Sequence, residues 1–491
     1  MCFFRRRLLA AGFIAILLAG GVVAQDSKSS ANNPPKVFPY DVHTKTLANG
    51  LTIIVIPTPE FKSMVTYSTL VFAGSRNETE KGKTGLAHLF EHIMFRHEID
   101  GKAGGYSNDI RRMGAYNNAW TDYDLTFYHP STFSENLFGP ITRPDGPVPG
   151  LIELEASRFK NLTLDRKTFE VEAGAVLGEY RKIFSDPAQK AIEEFSPAAF
   201  PHHTYGHTVI GYREDVENMP NAWDSAWEFY HNYYAPNSVA IIVAGDVDAT
   251  KVFAEAEKRY ADWKPSHPPQ IPVEQEPDGP KQVHVTWEAD VSPRLFVGYH
   301  TPAMKPGTKE TAVTEILPEL LTSRSAPLFQ KVRYQKQSVT NFAILGGQEL
   351  LESTDPHLMV LDSELLLDRF QKDGDKYVTD VQKDVVSGVE DLKSFSKQPK
   401  AAETLKVIKS KVRNDFFAAL DSTGSVAQSF AWYYRFNRDP RVLDMVIQSI
   451  DSLTPKDVDA YANKYFIPQG QVITTLWHDP QAASVAPEAK Q

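Results

Sequence analysis

The chain has 491 residues, 42% of them hydrophobic, with 52 Lys and Arg against 62 Asp and Glu for a net charge of −10. That acidic balance lacks the basic footprint phosphate binding requires, which excludes nucleic acid as a partner. Cys2 is the single cysteine, so neither disulfides nor thiolate chemistry can serve any domain downstream of it.

In chain order, residues 1–24 read as a secretory signal peptide. Arg5, Arg6 and Arg7 form a basic start, an apolar run follows from Leu8 to Val23, and small residues precede Gln25. The run is rich in Gly and Ala and short for a span of about 20 residues, which favours cleavage over a retained anchor. Both general secretion and the twin-arginine route fit. Cleavage leaves 49 basic against 62 acidic residues, a net charge of −13. The mature chain is therefore expected in the periplasm or secreted, with no stable membrane anchor. Residues 25–37 form a polar leader.

The remainder is too long for one core. A first domain is expected over 38–264, opening with strands at 51–56 and 64–72. Next comes Gly85-Leu-Ala-His88-Leu-Phe-Glu91-His92-Ile-Met-Phe95, whose apolar residues fit a buried helix. On a helix, His88 and His92 share a face with Glu91 beside them. Two neutral imidazoles suit zinc, and a catalytic zinc site needs a third protein ligand plus a water whose pKa falls to about 7. Glu91 can then serve as general base. Two histidines that merely hydrogen-bond in a core are the bland alternative. The third ligand is sought at 169–180, where Glu172, Val176, Glu179 and Ile183 fall on one helical face. Spacing alone leaves open whether Glu172 or Glu179 would bind the metal.

The segment Phe229 to Asn237 leads into a buried strand at 239–245. A Pro-rich linker follows at 265–280, where proline density forbids helix or sheet interior. A second domain is expected over 281–479, with strands near 283–287, 295–299 and 472–477 and helices at 401–420 and after Thr454. Its end echoes the first domain's end. Residues 480–491 form a small polar tail.

Taken together, these motifs resemble the pitrilysin/insulinase family of zinc metallopeptidases, specifically its bacterial subgroup related to the processing peptidases. The resemblance rests on the His88–His92 motif, on Ala115-Tyr-Asn117-Asn118-Ala119-Trp-Thr121, and on two glutamates seven apart, and it spans residues 45–478. It implies an α+β fold: two similar domains of helices and antiparallel sheet, joined by the linker in a clamshell that closes around substrate. It implies one Zn2+ per chain held by His88, His92 and Glu179, with Glu91 as base and Glu172 supporting catalysis. It makes Asn117, Asn118 and Ala119 an edge strand that pairs with substrate backbone. The gap from His92 to Glu179 is longer than the family's, an excess assigned to a surface loop at 138–150.

The family's second domain often carries an Arg and, seven residues later, a Tyr that orient substrate. Arg333 matches, but position 340 is Thr340. Arg333 is thus a substrate-binding candidate or an ordinary surface cation. Two readings follow. The first is an exported zinc endopeptidase hydrolysing unfolded peptides through a zinc-bound water activated by Glu91. The other is a silent or partner-dependent subunit, a homodimer or a heterodimer with a paralogue that supplies the Arg/Tyr pair.

Overall fold

The computed structural model describes residues 36–99, 101–102, 104–271, 279–345 and 348–478. The expected signal peptide, most of the leader, the middle of the linker and the tail lie outside the described residues.

Two mixed sheets organise the chain. The first contains β1 (His43–Thr46), β2 (Thr52–Pro57), β3 (Met64–Val71), β4 (Ala119–Thr121), β5 (Thr126–Tyr128), β6 (Ser131–Phe133) and β7 (Val239–Gly245). Its order is β1-β2-β7-β3-β5-β4, with β6 also pairing with β3. The second contains β8 (Lys281–Trp287), β9 (Arg294–Thr301), β10 (Val339–Ile344), β11 (His357–Leu365) and β12 (Gln471–His478), in the order β10-β11-β9-β12-β8.

Written from its far end, the second sheet repeats β2-β7-β3-β5-β4 strand for strand. In each, the strand that opens the repeat lies parallel to the last, β2 with β7 and β8 with β12, while the other pairs are antiparallel. The echo in sequence between the ends of the two halves is therefore a repeat of topology. The expected antiparallel sheets each gain one parallel pair, because the last strand of each half inserts between the two strands that open the repeat.

The strands are apolar on both faces because both faces are covered. In β2, Ile53 and Val55 pack with helices of their own half, while Ile54 and Ile56 share a core with Val426, Phe430 and Tyr434. Those partners lie on the helix Thr423–Asn437, which packs on β3 and β7 from the other half. In return, the helix Pro187–Ala199 crosses to β8 and β12. There Ala191, Ile192 and Phe195 meet Val285, Phe296, Val472 and Leu476.

The two facing shells expected from the resemblance are present, but the space between them is not open. It is filled by these two bridging helices, and the N-terminal stretch is drawn in too, since the backbone N–H groups of Val37 and Phe38 reach Asp444. The loop at 138–150 is anchored by a bridge between Ile141 and Val148, with Val148 buried.

Candidate metal centre

The helix Leu86–Ile93 carries the first two histidines, and a 3-10 turn, Met94–Arg96, extends it. Gly85 opens it at φ 86°. A Cβ there would stand 2.5 Å from the Ile210 carbonyl oxygen, so only glycine allows this entry. The buried carboxylate of Glu78 accepts the N–H groups of Gly85 at 2.8 Å and Ala87 at 2.7 Å. Those are donors that a helix start leaves unsatisfied. Burial pushes the Glu78 carboxyl up to about 8 against those bonds.

A second helix, Arg166–Ile183, begins at Asp165, whose side chain accepts the Thr168 N–H. It lies against the histidine helix and brings both glutamates of the expected face to it. His88 Nε2 lies 3.1 Å from Glu179 Oε2, and His92 Nε2 lies 3.6 Å from the same oxygen. The ligand atoms of His88, His92 and Glu179 fall within 4.8 Å of one another. Two imidazole nitrogens and one carboxylate oxygen converging on one point is the donor set of an open zinc site. The two glutamates are also separated by geometry. Glu172 meets the far side of the His92 ring, 3.5 Å from Nδ1, where a carboxylate fixes the ring's tautomer and orientation.

The electrostatics follow from these contacts. Hydrogen bonds from His88 and His92 hold the Glu179 carboxyl well below the usual range. Burial alone would lower His92, but Glu172 and Glu179 outweigh it and push it up to about 9. Burial would likewise raise Glu172, but His92 and Arg96 keep it below its ordinary value. A metal entering this site therefore displaces a proton.

Glu91 lies beside the histidine cluster, with Oε2 3.8 Å from His88 Nδ1, the ring nitrogen that does not face Glu179. The hydroxyl of Thr121 on β4 donates to that oxygen at 2.8 Å. Of the edge strand expected at 117–119, the structure gives β4 as the last strand of the first sheet. Ala119 lies in β4, while Asn117 and Asn118 precede it. Asn117 Nδ2 donates to the Tyr106 hydroxyl at 3.1 Å, and that hydroxyl donates to Glu155. The Asn118 carbonyl accepts the His129 N–H.

Arg333 is not brought to this cluster by any contact of its own. It lies on a π-helical turn, Gln330–Gln335, packed on β10 and on the helix Leu367–Glu390 of the second half. Thr340 occupies a bulge in β10 and donates to the Glu364 carbonyl.

Three supporting residues escaped the sequence reading. Arg96, one helical turn after His92, donates to Glu172 at 2.7 Å, and continuing the helix past Phe95 would have found it. Thr121 sits inside the quoted edge-strand run, where alternation marks it as a neighbour of Ala119's face. Glu78 carries no local signal, because its role depends on how the chain folds back.

Comparison with known proteins agrees with this arrangement. A family model described as Insulinase (Peptidase family M16) matches residues 53–212, and one described as Peptidase M16 inactive domain matches 224–347. Zinc protease PqqE of Helicobacter pylori is 28% identical over 435 residues, 86% of this chain and 89% of its own length. The beta subunit of the mitochondrial-processing peptidase of Blastocladiella emersonii is 27% identical over 214 residues, 44% of this chain and 43% of its own. A solved protease from Helicobacter pylori superposes with a TM-score of 0.75 at 26% identity, covering 89% of this chain and 99% of that one. The periplasmic protease PqqL of Escherichia coli shares the fold at a TM-score of 0.68 and 17% identity, over 92% of this chain and 50% of its own.

Proposed function

The chain belongs to the insulinase family of zinc metallopeptidases, Peptidase family M16, and from that membership we propose that it is an exported zinc-dependent endopeptidase acting on unfolded peptides. The observation that carries this reading is the convergence of His88, His92 and Glu179 on one point, with Glu91 beside His88 and bonded to the edge strand.

His88 Nε2, His92 Nε2 and a Glu179 oxygen would hold one zinc per chain. When bound, that ion supplies Lewis acidity and brings the pKa of a water near 7. Glu91 takes the proton. Thr121 engages Oε2 and fixes the carboxylate's angle, leaving Oε1 to receive it and later pass it to the departing amine. Glu172 keeps the His92 ring aligned, and Arg96 keeps Glu172 ionised. The free edge of β4 offers backbone groups to a substrate, which must be extended to use them. That requirement selects unfolded segments over folded domains.

The second reading, a subunit that works only beside a paralogue, is favoured by one feature. Thr340 holds a carbonyl of its own sheet where a substrate-orienting Tyr is expected, and Arg333 lies in the other half. Export rests on the basic and apolar run at 5–24; among the described residues no helix is long and apolar enough to cross a membrane.

Cleavage of a quenched peptide library by the purified mature chain with zinc, beside Glu91→Gln, tests the proposal. Activity in the wild type alone supports a self-sufficient peptidase. One zinc per chain without cleavage supports the partner-dependent subunit, and failure to bind zinc would overturn the catalytic reading.

A further inference from the structure

The edge strand next to Glu91 is gripped from behind by the other half of the chain. Side chains alternate across a strand. Thr121 therefore faces the histidine helix, while Trp120 faces the bridging helix Thr423–Asn437, with its ring 5.8 Å from Trp432. The Trp432 indole N–H donates to Glu352 at 2.5 Å. The Arg435 guanidinium covers the Trp432 ring, 3.5 Å from its centroid. Arg435 also donates to the Glu352 carbonyl at 2.5 Å and places Nη1 4.0 Å from Asp122, two residues after Trp120. Two residues further on, Asp124 accepts the Thr354 N–H at 2.7 Å. Trp120, Asp122 and Asp124 of the β4–β5 hairpin are thus each held by the second half, and Thr121, between the first two, holds Glu91.

This seam is poorly explained as plain interdomain packing. Arg435 Nε and Nη1 and the Trp120 indole nitrogen are buried without a hydrogen-bond partner among the described residues. Buried polar groups left unbonded cost free energy, and departures of this kind gather where geometry is under functional constraint.

We propose that Trp432 and Arg435 are positioning residues of the peptide-binding edge. Through Trp120 and Asp122 they set the height of β4 against Glu91, and so determine how firmly an extended peptide is held. The second half, which lends no ligand to the metal cluster, contributes to the site by this route. The inference rests on the edge-strand reading above, so its test includes a measurement that does not need catalysis.

The experiment compares Trp432→Leu with Trp432→Phe in the zinc-loaded mature chain. Hydrogen exchange over 119–128 should quicken by about ten-fold in Trp432→Leu, with 86–93 unchanged and Trp432→Phe near the wild type. KM for a quenched peptide should rise about ten-fold with kcat within about two-fold, the signature of lost uniform binding, at unaltered zinc content. Unchanged exchange in the hairpin overturns the proposal. Exchange rising equally in both segments, or loss of kcat and zinc at constant KM, also overturns it, since either marks a purely structural seam. If Trp432→Leu does not fold, Trp120→Leu opens the same contact from the hairpin side and is read identically. A wild type that cleaves nothing refutes the peptidase reading, while the exchange result still decides whether the second half positions the strand.

Discussion

Glu91 and Glu172 are both carboxylates beside a histidine of the same cluster, yet their neighbours give them different work. Among the described residues Glu91 takes a hydroxyl donor from Thr121 and lies 3.8 Å from His88 Nδ1, with no Lys or Arg ion pair. Glu91→Gln should keep zinc, because the three candidate ligands are untouched, and lower kcat by about 10²–10⁴ as expected for loss of a general base. Zinc content measured beside turnover checks both halves of that statement. Glu172 is tied to His92 and Arg96 and is buried. Glu172→Gln should weaken zinc binding by about 10–100-fold, the usual effect of removing a carboxylate behind a ligating histidine, as measured by competition with a chelator. Equal affinity in the variant would show that Glu172 does not support the ring. At this scale the sequence was informative for residues on one helix, since His88, Glu91 and His92 are related by helical geometry alone. It left the choice between Glu172 and Glu179 to the resemblance, and the distances to the two faces of the His92 ring support the same assignment.

At the scale of elements, the histidine helix is held at its far end by His97. Its Nδ1 accepts the Thr163 N–H at 3.2 Å and its Nε2 lies 3.1 Å from Ser157 Oγ. Thr163 shortly precedes the glutamate helix, so this one ring joins the exit of the first helix to the approach of the second. Burial and the Arg158 charge lower His97 from 6.5 to about 4. Above pH 6.5 the ring is neutral in both folded and unfolded chains and makes no difference. Below that, the unfolded chain takes the proton and the folded chain does not, so stability falls as pH drops from 6.5 towards 4. The full loss is about 3 kcal/mol from this group. Urea midpoints at pH 7 and pH 4.5 should show the drop, and His97→Gln should shrink it; an equal drop in the variant would assign the acid sensitivity elsewhere. Strands β2, β3, β7, β9 and β12 were legible in sequence because their apolar runs are continuous, whereas β10 and β11, the latter nine residues long, were not read. The strands β5 and β6, three residues each, were not read, since too few residues alternate to leave a pattern, and β4, equally short, entered only through the resemblance, as an edge strand at 117–119.

Across the whole molecule, each sheet depends on a helix supplied by the other half. Expressing residues 25–264 alone would leave Ile54, Ile56, Leu70 and Ile242 without the helix that covers them. Each such side chain is worth about 1.5–3 kcal/mol on burial, so this half should aggregate or bind a hydrophobic dye. Size-exclusion chromatography decides, and a monodisperse, dye-negative half would show that the reciprocal helices are dispensable. The sequence by itself determined the histidine helix, the doubly buried central strands, the two-part plan and His88 and His92 as metal-binding candidates, leaving the third ligand to the resemblance. Each of these rests on periodicity, composition or a motif a few residues long. Tertiary structure alone decided what covers the second face of each sheet, how Glu78 caps the histidine helix, and how Trp432 and Arg435 come to stand behind Trp120. Those contacts join residues far apart in the chain, and no local periodicity records which distant surface a buried face will meet.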